Sequence, residues 1–192
     1  MSEELIVSHC SPTMAGLKTG NLFTCPVKDR EELKTSLRRM NLRLVPRGVR
    51  MIPVRYSDDN ALIYMYRPEK LREDLSDPLA SSILSERSYP DGSCERCVAE
   101  LARRLNAADE FPHEIGLFLG YPSHDVDGFI RCGAREAKCV GAWRVYGDEE
   151  AAKKKFSLYK KCKRVYLDSL RSHKSFDRLI VGGRRQSGAA EC

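Results

Sequence analysis

The sequence predicts a mixed α/β (α+β) fold, a single compact domain with helices packed on a sheet of about four strands. A length of 192 residues suits one domain. Apolar runs at residues 49–56 and 61–66 flank the polar turn 57–60, which predicts a β-hairpin. A later pair of strands is joined through a helix, and such a connection can link parallel strands. The sheet is therefore predicted to be mixed. A long C-terminal amphipathic helix follows Gly147, with apolar positions at Ala152, Phe156, Tyr159, Cys162, Tyr166 and Leu170.

The N-terminal half supplies a loop, three helices and the hairpin. Residues 8–26 are rich in Ser, Pro, Gly and Thr, which indicates a loop with one helical turn near residues 12–18. Asp29 is a plausible N-cap for a helix over 29–44, because Glu32 follows three residues later. Pro53 predicts an edge or an irregularity in the first strand. Two short helices are predicted at 68–75 and 77–86.

The C-terminal half continues with a helix over 93–106 and a short buried strand over 114–119. A helix begins at Ser123 or His124 and extends to Arg131, and a further strand covers 139–146. We expect residues 1–181 to form the domain, and residues 182–192, which are rich in Gly and Arg, to be a disordered tail.

Composition narrows the class of protein. The chain is 42% hydrophobic and contains no run near the roughly 18 apolar residues of a membrane span. The acidic N-terminus lacks the pattern of a signal peptide, so we expect a soluble, cytoplasmic protein. Eight cysteines make the chain cysteine-rich, and in the cytoplasm they are expected to be free thiols with possible metal or redox roles. They are Cys10, Cys25, Cys94, Cys97, Cys132, Cys139, Cys162 and Cys192.

The net charge of +6 comes in part from basic runs at residues 38–50 and 153–164. The simplest interpretation is two solvated helix faces, although such faces also suit an anionic ligand or an acidic protein. Nucleic acid is an unlikely partner, since no nucleic-acid motif accompanies the charge.

The most informative segment extends from Phe111 to Ile130 and contains a His-Glu pair, two glycines and two aspartates. His113 is a candidate general base or metal ligand, with Glu114 to orient its ring. The alternative is a histidine that only caps a strand end. Asp125 lies where a helix starts, which also explains it without a ligand.

A second candidate site is His9-Cys10. Cys10 is a possible nucleophile whose pKa Lys18 would lower, and His9, Cys10 and His113 are possible metal ligands. The alternative is a packed cysteine beside an exposed histidine. Cys94 and Cys97 have redox spacing, but both lie on the apolar stripe of their helix.

Several of these motifs together resemble a bacterial family, mainly from Firmicutes, known as domain of unknown function 3793. The motifs are residues 9–23, 64–71, 111–122, 125–130 and 143–148, and the similarity covers about residues 7–173. The resemblance implies no established activity and no identified cofactor. It groups as candidate site residues His9, Cys10, Lys18, His113, Glu114, Tyr121, Asp125, Gly128 and Trp143.

Two functions compete at this point. Family members tend to occur beside flavodoxins and iron-uptake proteins, so the resemblance favours a thiol/His site linked to metal or redox physiology, with Cys10, His113 and Glu114 as its reactive groups. The alternative is a non-enzymatic binding or regulatory module for an anionic ligand or an acidic partner such as a flavodoxin. The predicted ligand-binding residues in either case are His9, Lys18, Tyr121, Asp125, Gly128 and Trp143.

Overall fold

The computed structural model describes residues 1–107 and 111–182, in which eight α-helices and five strands occur. The helices are α1 (Glu3–Met14), α2 (Arg30–Leu44), α3 (Pro68–Leu75), α4 (Pro78–Glu86), α5 (Cys94–Ala107), α6 (Ile115–Phe118), α7 (Ser123–Cys132) and α8 (Glu149–Arg171). The strands are β1 (Gly20–Pro26), β2 (Arg50–Tyr56), β3 (Asn60–Tyr66), β4 (Cys139–Val140) and β5 (Arg144–Val145). The predicted tail lies outside the described residues from residue 183 onward.

The main sheet has three strands in the order β1-β3-β2, and both of its pairings are antiparallel. The predicted hairpin is confirmed as β2–β3, and the ladder shifts register between Pro53 and Arg55 on the edge strand, where proline was expected to disturb it. Strands β4 and β5 form a separate two-stranded hairpin. The prediction of about four strands in a mixed sheet was therefore wrong, and the described strands contain no parallel crossover.

Strand β3 is buried on both faces, because helices cover the sheet from two sides. Ala61, Ile63 and Met65 point into one core cluster, which includes side chains of α1 and α2. Tyr64 and Tyr66 point into a second cluster, built with side chains of α3 to α7. This alternation follows from the two-residue repeat of a strand, and it places the 111–130 segment on the second face.

Helix α8 is the predicted long amphipathic helix, and it packs along α1. It begins after Asp148, whose carboxylate accepts a hydrogen bond from the Ala151 amide at 2.9 Å. Ala152 and Cys162 are buried on its inner face, and its lysines are exposed. No helix among the described residues has the length and apolar character needed to cross a membrane.

The predicted loop over residues 8–26 was wrong, because helix α1 and strand β1 occupy most of it. Ile6, Val7, Cys10 and Met14 recur at helical spacing and are buried, so tertiary packing outweighs the polar composition of the segment. Pro12 lies inside the helix, close to its end. The helix over 29–44 is confirmed as α2, whose N-cap Asp29 accepts from the Glu31 amide at 2.8 Å.

Two further strand predictions need correction. Residues 115–118 form the short helix α6 rather than the predicted strand over 114–119, and Gly116 in this helix packs against Val126 and Tyr121. Residues 139–146 form the β4–β5 hairpin rather than one strand, and Gly141 at its bend lies against the Phe156 ring. The helices predicted at 68–75, 77–86, 93–106 and 123–131 are confirmed as α3, α4, α5 and α7.

Candidate functional site

Asp125 is a buried carboxylate in the first turn of α7, with only 2% of its surface exposed. Its oxygens accept hydrogen bonds from the Trp143 indole N–H at 2.7 Å and from the backbone amides of Tyr146 and Gly147, each at 2.8 Å. These bonds attach the β4–β5 hairpin to α7. Asp125 therefore positions the wall of a site, and its oxygens are already occupied by protein donors.

A cavity of about 220 Å³ lies between α6, α7 and the hairpin. Tyr121 stacks on Trp143 with ring centroids 5.0 Å apart, and Phe156 meets the indole edge-on at 4.6 Å. Burial raises the pKa of Tyr121 to about 12, so its phenol is neutral. The side chains that give the cavity its chemical character are Phe111, His113, Tyr121, Phe129, Trp143 and Arg144.

His113 and Arg144 are the exposed polar groups of this cavity. The His113 ring meets Phe129 edge-on at 4.9 Å, and the Arg144 guanidinium lies 6.0 Å from the centroid of the same ring. Neither side chain forms a salt bridge with any residue in the ranges 1–107 and 111–182. An aromatic floor with an unpaired guanidinium and an imidazole beside it suits a planar ligand that carries negative charge.

Glu114 points away from this cavity and does not orient His113. It is 4% exposed, accepts a hydrogen bond from the Tyr89 hydroxyl at 3.0 Å, and pairs with Arg87 at 3.3 Å and Arg104 at 3.4 Å. Burial, together with the Glu114 charge, raises the pKa of Tyr89. Glu114 thus joins α4, α5 and α6. The sequence offered no periodic or motif signal for this network, because its members come from three separate segments.

Cys10 lies fully buried on α1 among core side chains, and burial raises the pKa of its thiol well above the usual range. His9 is exposed and stacks on Phe23 with ring centroids 5.8 Å apart. Burial, and next the charge of Lys163, lowers the pKa of His9.

The structure does not bring Cys10 to His113, because neither a hydrogen bond nor a shared cavity joins them. Within the described residues, no three His, Cys, Asp or Glu side chains are placed to hold a metal ion. The predicted metal set of His9, Cys10 and His113 is therefore not assembled. Cys94 and Cys97 are free thiols; burial raises the pKa of Cys94 to about 11, and the Cys97 thiol donates to the Pro90 carbonyl at 3.2 Å.

Lys18 lies in the connection between α1 and β1 and is 6% exposed. The connection is a tight turn in which the amides of Leu17 and Lys18 donate to the Pro12 carbonyl at 2.9 and 3.1 Å. The Lys18 ammonium is 5.2 Å from the centroid of the Tyr121 ring, and Lys18 is not among the residues that line the cavity. Burial lowers the pKa of Lys18 to about 8.

Of the nine candidate residues, four line the cavity: His113, Tyr121, Asp125 and Trp143. Lys18 contacts Tyr121, one of the lining residues. Gly128 packs against Tyr146, and a side chain at position 128 would collide with that ring. His9, Cys10 and Glu114 lie elsewhere. Sequence reasoning missed Phe129 and Arg144, although the dense motif between residues 111 and 130 indicated the first.

Comparison with known families matches residues 6–180 to a family described as a protein of unknown function, DUF3793. No curated protein and no solved structure matches the chain.

Proposed function

Because the chain belongs to the DUF3793 family, whose description carries no activity, we propose a function from the site alone: the protein binds a small, planar, negatively charged organic molecule in the cavity lined by Tyr121, Trp143 and Arg144. The single observation behind this proposal is the unpaired Arg144 guanidinium beside a cavity whose walls are mainly aromatic. A guanidinium pairs strongly with carboxylates and phosphates, and aromatic walls favour a flat ring.

The size of the cavity fits a single substituted ring. Its volume is about 220 Å³, and a cavity of roughly 150 Å³ already accepts benzene. The carboxylate in the cavity lining is Asp125. Its oxygens accept hydrogen bonds from the Trp143 indole and two backbone amides, and these donors offset its repulsion of an anion. These features support a benzoate-sized acid as a probe.

We favour binding over catalysis because two of the three groups expected to react, Cys10 and Glu114, are engaged elsewhere. Cys10 is buried, and the high pKa of its thiol keeps it protonated. Glu114 is held by Tyr89 and two arginines rather than by His113. The thiol/His function stays a weaker proposal, since it would require α1 to open and expose Cys10.

The proposal is tested directly by the fluorescence of Trp143, because it is the only tryptophan in the chain. Titration with benzoate should change the emission in a saturable way, whereas neutral benzamide should bind more weakly. A charge-assisted contact with Arg144 contributes on the order of 1–2 kcal/mol to binding. Benzoate should therefore bind about five- to thirtyfold more tightly than benzamide.

Arg144→Gln should abolish most of the preference for benzoate while leaving benzamide binding in place. Arg135→Gln is the matched control, because Arg135 is an exposed arginine in the turn after α7 and does not line the cavity. Saturable binding of neither probe, or equal binding of both by wild type, would refute a site for planar anions.

The exposed basic face of α8 favours a second candidate function, the docking of an acidic protein such as a flavodoxin. Lys154, Lys155, Lys160 and Lys161 are all exposed and form no ion pair within the described residues, while Lys153 pairs with Glu149 at 2.6 Å. In the other basic run, by contrast, Arg43 pairs with Glu3 and Asp177, and Arg47 donates to the Ile180 carbonyl. Binding to flavodoxin should weaken steeply as salt rises, and salt-independent binding or none would count against this function.

We also infer a cytoplasmic location. The seven described cysteines are free thiols, and free thiols persist in a reducing compartment. Disulfide mapping of protein purified from its native cells under acid quench tests this inference, since a stable disulfide would contradict it.

A further inference from the structure

Lys18 is a buried cation that the aromatic cavity does not use. It is 6% exposed, its ammonium lies 5.2 Å from the centroid of the Tyr121 ring, and Cys10 is the ionisable group close enough to influence it. The Cys10 thiol is neutral because burial raises its pKa. The ring gives weak cation–π stabilisation, which does not replace the hydration that the ammonium loses on burial.

The Lys18 ammonium forms no salt bridge and no hydrogen bond with residues 1–107 or 111–182. Other buried charges behave differently. Arg67, also 6% exposed, donates to the carbonyls of Thr13, Met14 and Val181. Glu114 has a tyrosine and two arginines as partners. Buried charges are normally compensated in this way, so Lys18 stands apart.

The Lys18 ammonium is not completely sealed from solvent. Within the described residues, every side-chain nitrogen or oxygen that is sealed has a hydrogen-bond partner, and the Lys18 nitrogen has none. Only 6% of the Lys18 surface is exposed, so the charge has no counter-charge in the protein and little contact with water.

The carboxylate beside this position is already engaged. Asp74 accepts a hydrogen bond from the hydroxyl of Thr19, the residue after Lys18, and burial raises the pKa of Asp74. Asp74 therefore does not compensate the Lys18 ammonium, whose pKa responds to burial and to Cys10.

We propose that Lys18 anchors a second binding site, separate from the aromatic cavity, which takes a small oxyanion such as a carboxylate or a phosphate group. The ammonium supplies the charge, and the Tyr121 ring forms one wall. Tyr121 also lines the aromatic cavity, so the two sites share one side chain. This proposal does not depend on a ligand in the aromatic cavity.

The test is NMR of protein labelled with ¹³C at the lysine ε-carbons. The Lys18 signal is assigned by its loss in Lys18→Met, or in Lys18→Arg if the first variant does not fold. The signal is followed against pH in sodium chloride, sodium acetate and sodium phosphate at equal ionic strength. Lys160, an exposed lysine of α8, is the internal control.

In chloride, Lys18 should titrate with a pKa near 8, well below Lys160. Acetate or phosphate should raise the Lys18 pKa saturably by about one unit, which corresponds to about tenfold tighter binding of the anion to the ammonium form. A shift with acetate alone identifies a carboxylate ligand, and a shift with phosphate alone identifies a phosphate. A Lys18 titration that is the same in all three salts, or that moves only as Lys160 does, would overturn the proposal.

Discussion

Asp125 accepts the indole N–H of Trp143 at 2.7 Å, across 18 residues of sequence. The same carboxylate accepts the backbone amides of Tyr146 and Gly147, so one side chain fixes both the tryptophan and the strand end beside it. The cavity wall consequently depends on one buried acceptor, which also lies 3.5 Å from the His124 ring nitrogen.

Asp125→Asn should destabilise the protein by on the order of 2–3 kcal/mol, because the new amide presents donors where three donors already converge. The Trp143 ring should also become more mobile and more exposed to water. Urea unfolding measures the first effect, and a red shift of the tryptophan emission measures the second.

Asp127→Asn is the control for this change, since Asp127 lies on the same helix and only pairs with Arg131 on the surface. It should alter stability by less than about 0.5 kcal/mol. Equal effects of the two variants would show that Asp125 does not hold the hairpin.

Glu114→Gln should destabilise the fold by on the order of 3 kcal/mol, because it leaves Arg87 and Arg104 beside a neutral group in a half-buried network. Benzoate affinity should stay within about twofold, since Glu114 faces away from the cavity. Urea unfolding and the Trp143 titration provide the two measurements, with exposed Glu73→Gln as the control. A large loss of affinity at unchanged stability would instead assign Glu114 to the ligand site.

The sequence predicted elements best where local signals and tertiary packing agree. Asp29 caps its helix as its position suggested, and the turn at residues 57–60 marks the β2–β3 hairpin. The prediction was wrong for α1, where Pro12 and neighbouring polar residues indicate a loop but burial of Ile6 and Cys10 imposes a helix.

Only part of the candidate site could be predicted from the sequence. The motifs at residues 111–130 and 143–148 led to four of its lining residues, His113, Tyr121, Asp125 and Trp143. Arg144 was missed since regular strand alternation places it opposite Trp143, whereas the short β4–β5 hairpin brings both to one cavity. The pairing of Cys10 with His113 had no geometric basis, because no spacing rule relates two side chains that lie a hundred residues apart in sequence.

Cys10 should resist alkylation in the folded protein, because a buried thiol is neither accessible nor ionised. Cys139, which is partly exposed, should react with iodoacetamide faster than Cys10. Peptide mapping by mass spectrometry after short exposure measures both rates, and denaturant should make them similar. If Cys10 is modified as fast as Cys139 under native conditions, the hypothesis of a reactive thiol site at Cys10 regains support.

Lys18→Met should stabilise the protein at neutral pH, because it removes a buried and unpaired ammonium while keeping a side chain of similar length. The pKa of Lys18 falls from 10.5 to about 8 on folding, so the unfolded chain binds more protons than the native one between these values. The stability of wild type relative to the variant should therefore rise through that pH range. Below it, the full penalty of on the order of 3 kcal/mol applies.

The comparison must be made as a difference between the two proteins. Burial raises the pKa of Tyr121 and of Tyr89, and these groups make both proteins less stable as pH rises, so the shared loss cancels in the difference. Urea unfolding at a series of pH values gives the free energies, and Lys160→Met, an exposed control, should show no pH-dependent difference from wild type. If Lys18→Met is destabilising at neutral pH, the ammonium has a compensating partner within the protein, and the anion site loses its physical basis.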